Sequence, residues 1–213
     1  MTYPDYTRAE RIADGIIHVI GITASVTAFV ILLAIAIPTL EASSTTALAV
    51  YGATVVTLFS VSAAYHMISH AGVRPILRRF DQAAIFFKIA GTYTPLVVLI
   101  GSAFSYGVLA VVWATAILGA LAKLVLRYKL DGVSVGIFLL LGWASLTLAW
   151  PIFATLPVAV SVLIVTGGVL YSVGVVFHLW NGLKFQNAIW HGFVLAASAC
   201  HFTAVAAGTF TLA

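Results

Sequence analysis

Seven long apolar stretches, separated by short polar segments, run along the whole chain. They fall at about 16–37, 45–67, 82–100, 105–126, 133–150, 158–180 and 188–210. Each stretch is close to the about 20 residues that a helix needs to cross about 30 Å of hydrocarbon. Apolar residues are continuous within the stretches rather than alternating, which excludes a transmembrane β-barrel. The pattern therefore predicts an all-α, polytopic membrane protein built as a seven-transmembrane-helix bundle.

Composition supports this prediction and limits what else the chain contains. Of 213 residues, 62% are hydrophobic and 8% are charged, whereas soluble domains carry about 25% charged residues. Seven spans use about 140 residues, which leaves no room for a soluble catalytic domain or a nucleic-acid module. We therefore expect one membrane domain over 1–213. The single cysteine, Cys200, excludes a disulfide framework and a cysteine-based metal motif.

The polar segments between the stretches contain prolines, glycines and charges that end helices. These connections lie at about 38–44, 70–79, 101–102, 127–132, 151–157 and 181–187. Eight of the ten cations lie in the N-terminal tail or in the second, fourth and sixth connections. The other two, Lys88 and Lys123, lie within about two turns of those connections, and we expect their long side chains to extend outward to the membrane surface.

With seven spans, all the cation-bearing segments share one side of the membrane. The positive-inside rule makes that side the cytoplasm, so the N-terminus is predicted to be cytoplasmic. The net charge of +4 thus reflects topology, and we expect no nucleic-acid partner. We expect a multi-pass protein of the plasma (inner) membrane that has membrane lipids as partners.

Six histidines are present, and five lie near the ends of spans on the cation-rich side. The five are His18, His66, His70, His178 and His191, and His201 lies about 15 Å further along span seven than His191. Because ionisable and metal-binding side chains are costly within a membrane, each is a hypothesis for function. Taken singly, His18, His70 and His201 are interpreted as hydrogen-bonding residues at an interface or between helices.

Two spacings make the histidine pattern more specific. Ser62 and His66 are four residues apart, as are Asn187 and His191, so the members of each pair share a helix face. Asp81 opens span three at the same level. A carboxylate and neutral imidazoles that converge in this way suit zinc, which would activate a water near Asp81.

Four parts of the chain, taken together, resemble the hemolysin III family, the bacterial branch of the progestin and adipoQ receptor (PAQR) superfamily. They are Glu10–Asp14 leading to His18, Ser62–His66, Arg78–Gln82 with Ile89–Pro95, and Asn187–Val194 with His201 beyond. The resemblance implies a zinc ion near the cytoplasmic face. It also implies that the ligands are the histidine of Ser-x-x-x-His on span two and both histidines of His-x-x-x-His on span seven, while an aspartate on span three positions a water.

Carried over to this sequence, the implied positions are His66, Asn187, His191 and Asp81. The chain departs from the family pattern at Asn187, because a neutral amide is a poor zinc ligand beside imidazole. Two alternatives follow. His178, at the end of the neighbouring span, supplies the third nitrogen, or the amide oxygen of Asn187 and waters complete a weaker site.

The resemblance leaves three classes of function open. The first is a zinc-dependent hydrolase, similar to the alkaline ceramidases, that acts on a lipid amide or in membrane homeostasis. In that mechanism Asp81 positions and deprotonates the water, and Ser62 supports the developing oxyanion. The second is a receptor or sensor that binds without turnover, and the third is a cytolytic pore, for which no selectivity filter or charged ring is evident. A retinal protein is excluded because residues 188–210 contain no lysine.

Overall fold

The computed structural model describes residues 6–125 and 131–212, which are almost entirely helical. The α-helices are α1 Arg8–Thr39, α2 Ala42–Met67, α3 Arg74–Ile100, α4 Ala103–Val125, α5 Asp131–Trp143, α6 Ala149–Thr155, α7 Val158–Leu179 and α8 Gln186–Leu212. A short 3-10 helix, Ala144–Leu148, joins α5 to α6. Seven segments are long and apolar enough to span a membrane, the fifth being the composite Ser134–Thr155. The all-α seven-span prediction is confirmed.

The first helix begins earlier than the apolar pattern predicts, at Arg8 rather than at about 16. Thr7 and Glu10 form a capping box, in which the Glu10 N–H donates to Thr7 Oγ1 at 3.3 Å and the Thr7 N–H donates to Glu10 Oε2 at 2.9 Å. These bonds satisfy backbone donors that a helix start leaves unpaired. Residues assigned to a polar tail are therefore helical, and Asp14 lies in the second turn of α1.

The predicted end of the fifth span, at 150 with a break over 151–157, is wrong. Helix α6 continues through Pro151 to Thr155, and the break lies at Leu156 and Pro157. Pro151 is tolerated because it lies in the first turn of α6, where a proline removes no helical hydrogen bond. The fourth predicted connection, with Arg127 and Lys129, overlaps residues 126–130, which lie outside the described part of the chain.

Helix α3 lies at the centre of the bundle. It packs extensively on α2 and α4, and it also contacts α8, α5 and α6, while α8 returns to close against α1. Gly91 allows the close approach of α2, because a Cβ at this position would overlap the side chain of Thr54. Large apolar side chains such as Ile20, Val30 and Leu118 face outward, as expected of helices surrounded by lipid.

A cavity of about 540 Å³ lies inside the bundle. It is lined by residues from α1, α2, α3, α5, α6, α7 and α8, among them His66, Asp81, Lys88 and Ile152. Apolar side chains form most of its wall. The helices around it therefore enclose an internal binding space within the membrane-spanning region.

The expectation that Lys88 and Lys123 extend outward to the membrane surface is wrong. Lys88 is 3% exposed and Lys123 is 7% exposed, so both side chains lie inside the bundle. Lys88 also lines the cavity. Its helix, α3, is covered by neighbours along much of its length, which leaves the lysine no path along the helix surface to water.

Candidate metal centre

Three side chains that can bind a metal converge at one end of the bundle. Asp14 of α1, His66 of α2 and His191 of α8 each place one ligand atom within 4.8 Å of the others. Asp14 and His191 are buried, and His66 is partly buried. We call this end of the bundle the histidine end, defined by His18, His66 and His191.

Asp14 connects two of the histidines. Its Oδ1 accepts a hydrogen bond from Nδ1 of His191 at 2.6 Å, and its Oδ2 lies 3.6 Å from Nδ1 of His66. The first distance is short, as is typical of a charge-assisted hydrogen bond. Because Nδ1 of His191 carries the proton in this arrangement, Nε2 keeps its lone pair and is able to bind a metal.

His18 adds a third imidazole from α1, one turn after Asp14. Its Nδ1 donates to the main-chain carbonyl of Asp14 at 2.8 Å, and its Nε2 lies 3.4 Å from Oγ of Ser62. The ring centroid of His18 lies 4.4 Å from that of His191 and 5.4 Å from that of His66. His18 therefore places its Nε2 beside the Asp14–His66–His191 group.

Ser62 and Asp81, the predicted catalytic pair, lie beside the histidines. The Ser62 hydroxyl is hydrogen-bonded to the Asp81 carboxylate. Ser62 is buried one turn before His66 on α2, and all three side chains line the cavity. The structure thus brings a second carboxylate to the same end of the cavity as the metal-binding group.

Asn187 lies next to His66 but presents a donor to it. Nδ2 of Asn187 is 3.3 Å from Nδ1 of His66, and the amide also hydrogen-bonds to the hydroxyl of Tyr6. Burial raises the pKa of the Tyr6 hydroxyl, so this hydroxyl stays protonated at neutral pH. Position 187 therefore lies beside the metal-binding group, with its amide against the ring of His66.

His178 of α7 lines the same cavity as His66 and His191. Its side chain is exposed, its ring packs on Trp190 with the centroids 4.9 Å apart, and its carbonyl accepts a hydrogen bond from Gln186. Among the described residues, Asp14 joins His66 and His191 in the metal-binding group, and a contribution from His178 stays a prediction.

Asp14 and His18 were not predicted from the sequence as site residues. The signal was present: the two residues are four apart, so on a helix they share a face. Asp14 was assigned to a polar tail, which has no helical periodicity, so no shared face could be inferred. The capping box of Thr7 and Glu10 makes this segment helical, and Asp14 and His18 then lie on one face of α1.

Long-range hydrogen bonds hold the start of α1 over the histidine end. Oε1 of Glu10 accepts from the backbone N–H of Phe185 at 3.0 Å, and Arg11 donates to Oγ of Ser69 at 3.1 Å. The first bond reaches the α7–α8 connection and the second reaches the α2–α3 connection. Together they fix Asp14 relative to the two helices that carry His66 and His191.

The chemistry of these side chains fits a zinc ion. Imidazole nitrogen and carboxylate oxygen are preferred zinc donors, and a set of three protein ligands is typical of catalytic sites, which keep one position open. Asp14, His66 and His191 provide such a set. His66 and His191 also line the cavity, so a ligand bound in the cavity lies beside two members of the group.

The chain matches the family model described as "Haemolysin-III related" over residues 6–202. It is 34% identical to the hemolysin-3 homolog of Bacillus subtilis over 94% of each chain, and 36% identical to hemolysin-3 of Bacillus cereus over 92% of this chain and 90% of the relative. It is also 29% identical to the human monocyte to macrophage differentiation factor over 73% of this chain and 67% of the relative. With its seven spans, this chain is an integral multi-pass membrane protein that belongs to the hemolysin III family.

Proposed function

We propose that this protein is a zinc-dependent hydrolase of the plasma membrane that cleaves a lipid amide. The observation that carries the proposal is the convergence of Asp14, His66 and His191 at the end of an apolar cavity, beside the hydrogen-bonded pair of Ser62 and Asp81. Amide hydrolysis within a membrane requires residues that bind a metal, a carboxylate that acts as a base and a cavity that accepts an acyl chain.

His66, His191 and Asp14 would hold the metal. Zinc bound there would supply Lewis acidity for a carbonyl group and a water nucleophile usable near neutral pH. The hydrogen bond from His191 to Asp14 sets which ring nitrogen of His191 faces the site. His18 is fixed in the same way by the carbonyl of Asp14.

Asp81 is the proposed general base. Its carboxylate lines the cavity and would remove a proton from a water bound beside the histidines. Ser62 donates its hydroxyl hydrogen to Asp81 in the resting site. Once Asp81 takes up the proton, the hydroxyl of Ser62 is free to turn to the amide carbonyl, where negative charge develops. Asp81 would then pass its proton to the amide nitrogen as the carbon–nitrogen bond breaks, which releases the amine and the fatty acid.

The cavity supports a substrate with an acyl chain. Leu58, Leu96 and Phe138 are among its apolar lining residues, and they offer no hydrogen bonds to a polar substrate. An amide group at the histidine end would place its acyl chain along this apolar wall. Removal of water from the wall then contributes binding free energy of about 25 cal/mol per Å² of apolar surface.

The direct test follows fatty-acid release from ceramide-like amides by the purified protein with zinc present. We expect release by the wild type, loss of release in His66→Ala and Asp81→Asn, and retention in His70→Ala, which removes an exposed histidine outside the group. Zinc bound without any release would contradict the hydrolase proposal and favour a receptor or sensor that uses the same cavity. The name hemolysin-3 attaches lysis to the Bacillus relatives, and dye leakage from vesicles that contain the protein would favour a pore.

A further inference from the structure

Lys88 is a cationic residue buried deep in the bundle, away from the histidine end. It lies seven residues after Asp81 on α3, which places it about 10 Å further along the helix. Its side chain is 3% exposed and lines the cavity. Such a residue within a membrane span is costly, and it is by default a hypothesis for a functional site.

The neighbours of Lys88 are neutral. Its Nζ lies 3.4 Å from Nδ1 of His201 and 4.2 Å from the ring centroid of Tyr171. Among the described residues, no carboxylate forms an ion pair with Lys88. An imidazole nitrogen and a ring face stabilise an ammonium partially, but they do not balance its charge.

His201 is fixed so that it accepts from Lys88. Its Nε2 donates to the carbonyl of Ile164 at 3.2 Å, so Nδ1 is the acceptor for Nζ of Lys88. Gly167 of α7 makes room for the ring, because a Cβ at 167 would overlap the ring atoms of His201. The position of the imidazole is therefore determined by close packing as well as by hydrogen bonds.

Tyr171 is also fixed in position by a hydrogen bond. Its hydroxyl is hydrogen-bonded to Oγ of Ser198 at 2.7 Å, and Ser198 is buried. The ring below Lys88 thus cannot turn without breaking a buried hydrogen bond, which costs about 1–3 kcal/mol when a partner is left unsatisfied. Lys88, Tyr171 and His201 form a preorganised group that spans α3, α7 and α8, and we call it the lysine site.

We propose that the lysine site binds the carboxylate of a single-chain amphiphile, such as a long-chain fatty acid, within the membrane-spanning cavity. The carboxylate would accept from Nζ of Lys88. The hydrocarbon chain would lie against the apolar lining beyond the site, which includes Leu148, Ile152 and Val205.

Charge and size favour this ligand. A carboxylate carries one negative charge, which matches the one ammonium of the site, whereas a phosphate monoester carries about −1.5 to −2 at pH 7. A cavity of about 540 Å³ falls within the range of about 300–1,000 Å³ that holds one small ligand. The lysine site requires no metal, because none of its residues belongs to the Asp14–His66–His191 group.

The test compares the binding of oleate and of oleyl alcohol to the purified full chain in detergent. The two probes share a hydrocarbon chain and differ in charge. We expect the wild type to prefer oleate, and we expect Lys88→Met to weaken oleate binding by roughly 10- to 150-fold, the equivalent of one charge-assisted hydrogen bond. Binding of oleyl alcohol should stay unchanged.

Two matched controls separate the lysine site from general effects. Lys123→Met removes another buried lysine, one that does not line the cavity, and it should keep the preference for oleate. Gly167→Ala should weaken oleate binding by displacing His201, whereas Gly168→Ala should not, because a Cβ at 168 meets only Trp143 at ordinary contact distances of 3.7 and 3.8 Å. The glycine pair tests the site without changing any charge.

Three results would overturn the inference. One is equal affinity of the wild type for the acid and the alcohol. Another is an oleate preference that survives Lys88→Met or is lost equally in Lys123→Met. The third is tighter binding of oleoyl lysophosphatidate than of oleate, which would assign the site to a phosphate. Zinc content is measured in every variant, so failure here is distinguishable from failure of the proposed hydrolase.

Discussion

Replacement of Asp14 by asparagine removes one charge from the centre of the histidine end while keeping the size of the side chain. In the structure this carboxylate accepts from His191 at 2.6 Å and lies 3.6 Å from a nitrogen of His66. Asparagine keeps one carbonyl oxygen but loses the negative charge that attracts both the histidines and a metal cation. We therefore expect Asp14→Asn to weaken zinc binding.

The magnitude follows from the contacts. Loss of a hydrogen bond to a charged group costs about 1.5–3 kcal/mol, which corresponds to a roughly 10- to 150-fold change in affinity. Removal of a carboxylate that orients a metal-binding histidine costs about 10- to 100-fold. Both estimates agree on at least a tenfold loss, whether Asp14 binds the metal itself or acts through His191.

The assay is competition for zinc between the purified protein and a chelator of known affinity. Glu41→Gln is the matched control, because it makes the same charge change beyond the opposite end of α1, where the exposed side chain makes no capping hydrogen bond. We expect the control to retain zinc within about twofold of the wild type, since the effect of a screened charge at this distance is small. Wild-type retention by Asp14→Asn, or an equal loss in both variants, would refute the reasoning.

Three further predictions concern individual contacts. Asn187→His should increase zinc retention against chelators, because position 187 lies 3.3 Å from His66; unchanged retention would place this position outside the site. Gly91→Ala should lower the free energy of unfolding by about 1–3 kcal/mol, because the added methyl group overlaps Thr54 of α2. Thermal unfolding in detergent measures this loss. Gly107→Ala is the control and should show none, because a Cβ at 107 meets no neighbour within 4 Å. Tyr93→Phe should cost about 1 kcal/mol in the same measurement, because the hydroxyl donates to two carbonyls of α5 at 2.9 Å; an unchanged midpoint would contradict that role.

The continuous apolar stretches were sufficient to predict the seven spans, because the length of a span is set by the thickness of the membrane. The ends of the helices were less predictable. The start of α1 depends on the capping box of Thr7 and Glu10, and the course of the fifth span depends on the position of Pro151 within the first turn of α6. Local hydrogen bonds, rather than hydropathy, decide such boundaries.

The candidate site was predictable in part. Spacing on a helix placed Ser62 on the same face as His66, and Asn187 on the same face as His191. The structure brings Ser62, His66 and His191 to one cavity with Asp81. The role of Asp14 depends on a contact across 177 positions of the chain, which no local pattern encodes. Hydropathy alone also could not show that Lys88 points into the bundle, because the direction of a side chain depends on which helices cover it.

Metal analysis of the purified protein combined with X-ray absorption spectroscopy at the zinc edge tests the central claim most directly. We predict one zinc per chain, bound by imidazole nitrogen and carboxylate oxygen, with the metal lost in both His66→Ala and His191→Ala and kept in His70→Ala. A chain without bound metal, or zinc content that is unchanged in both His66→Ala and His191→Ala, would contradict the account.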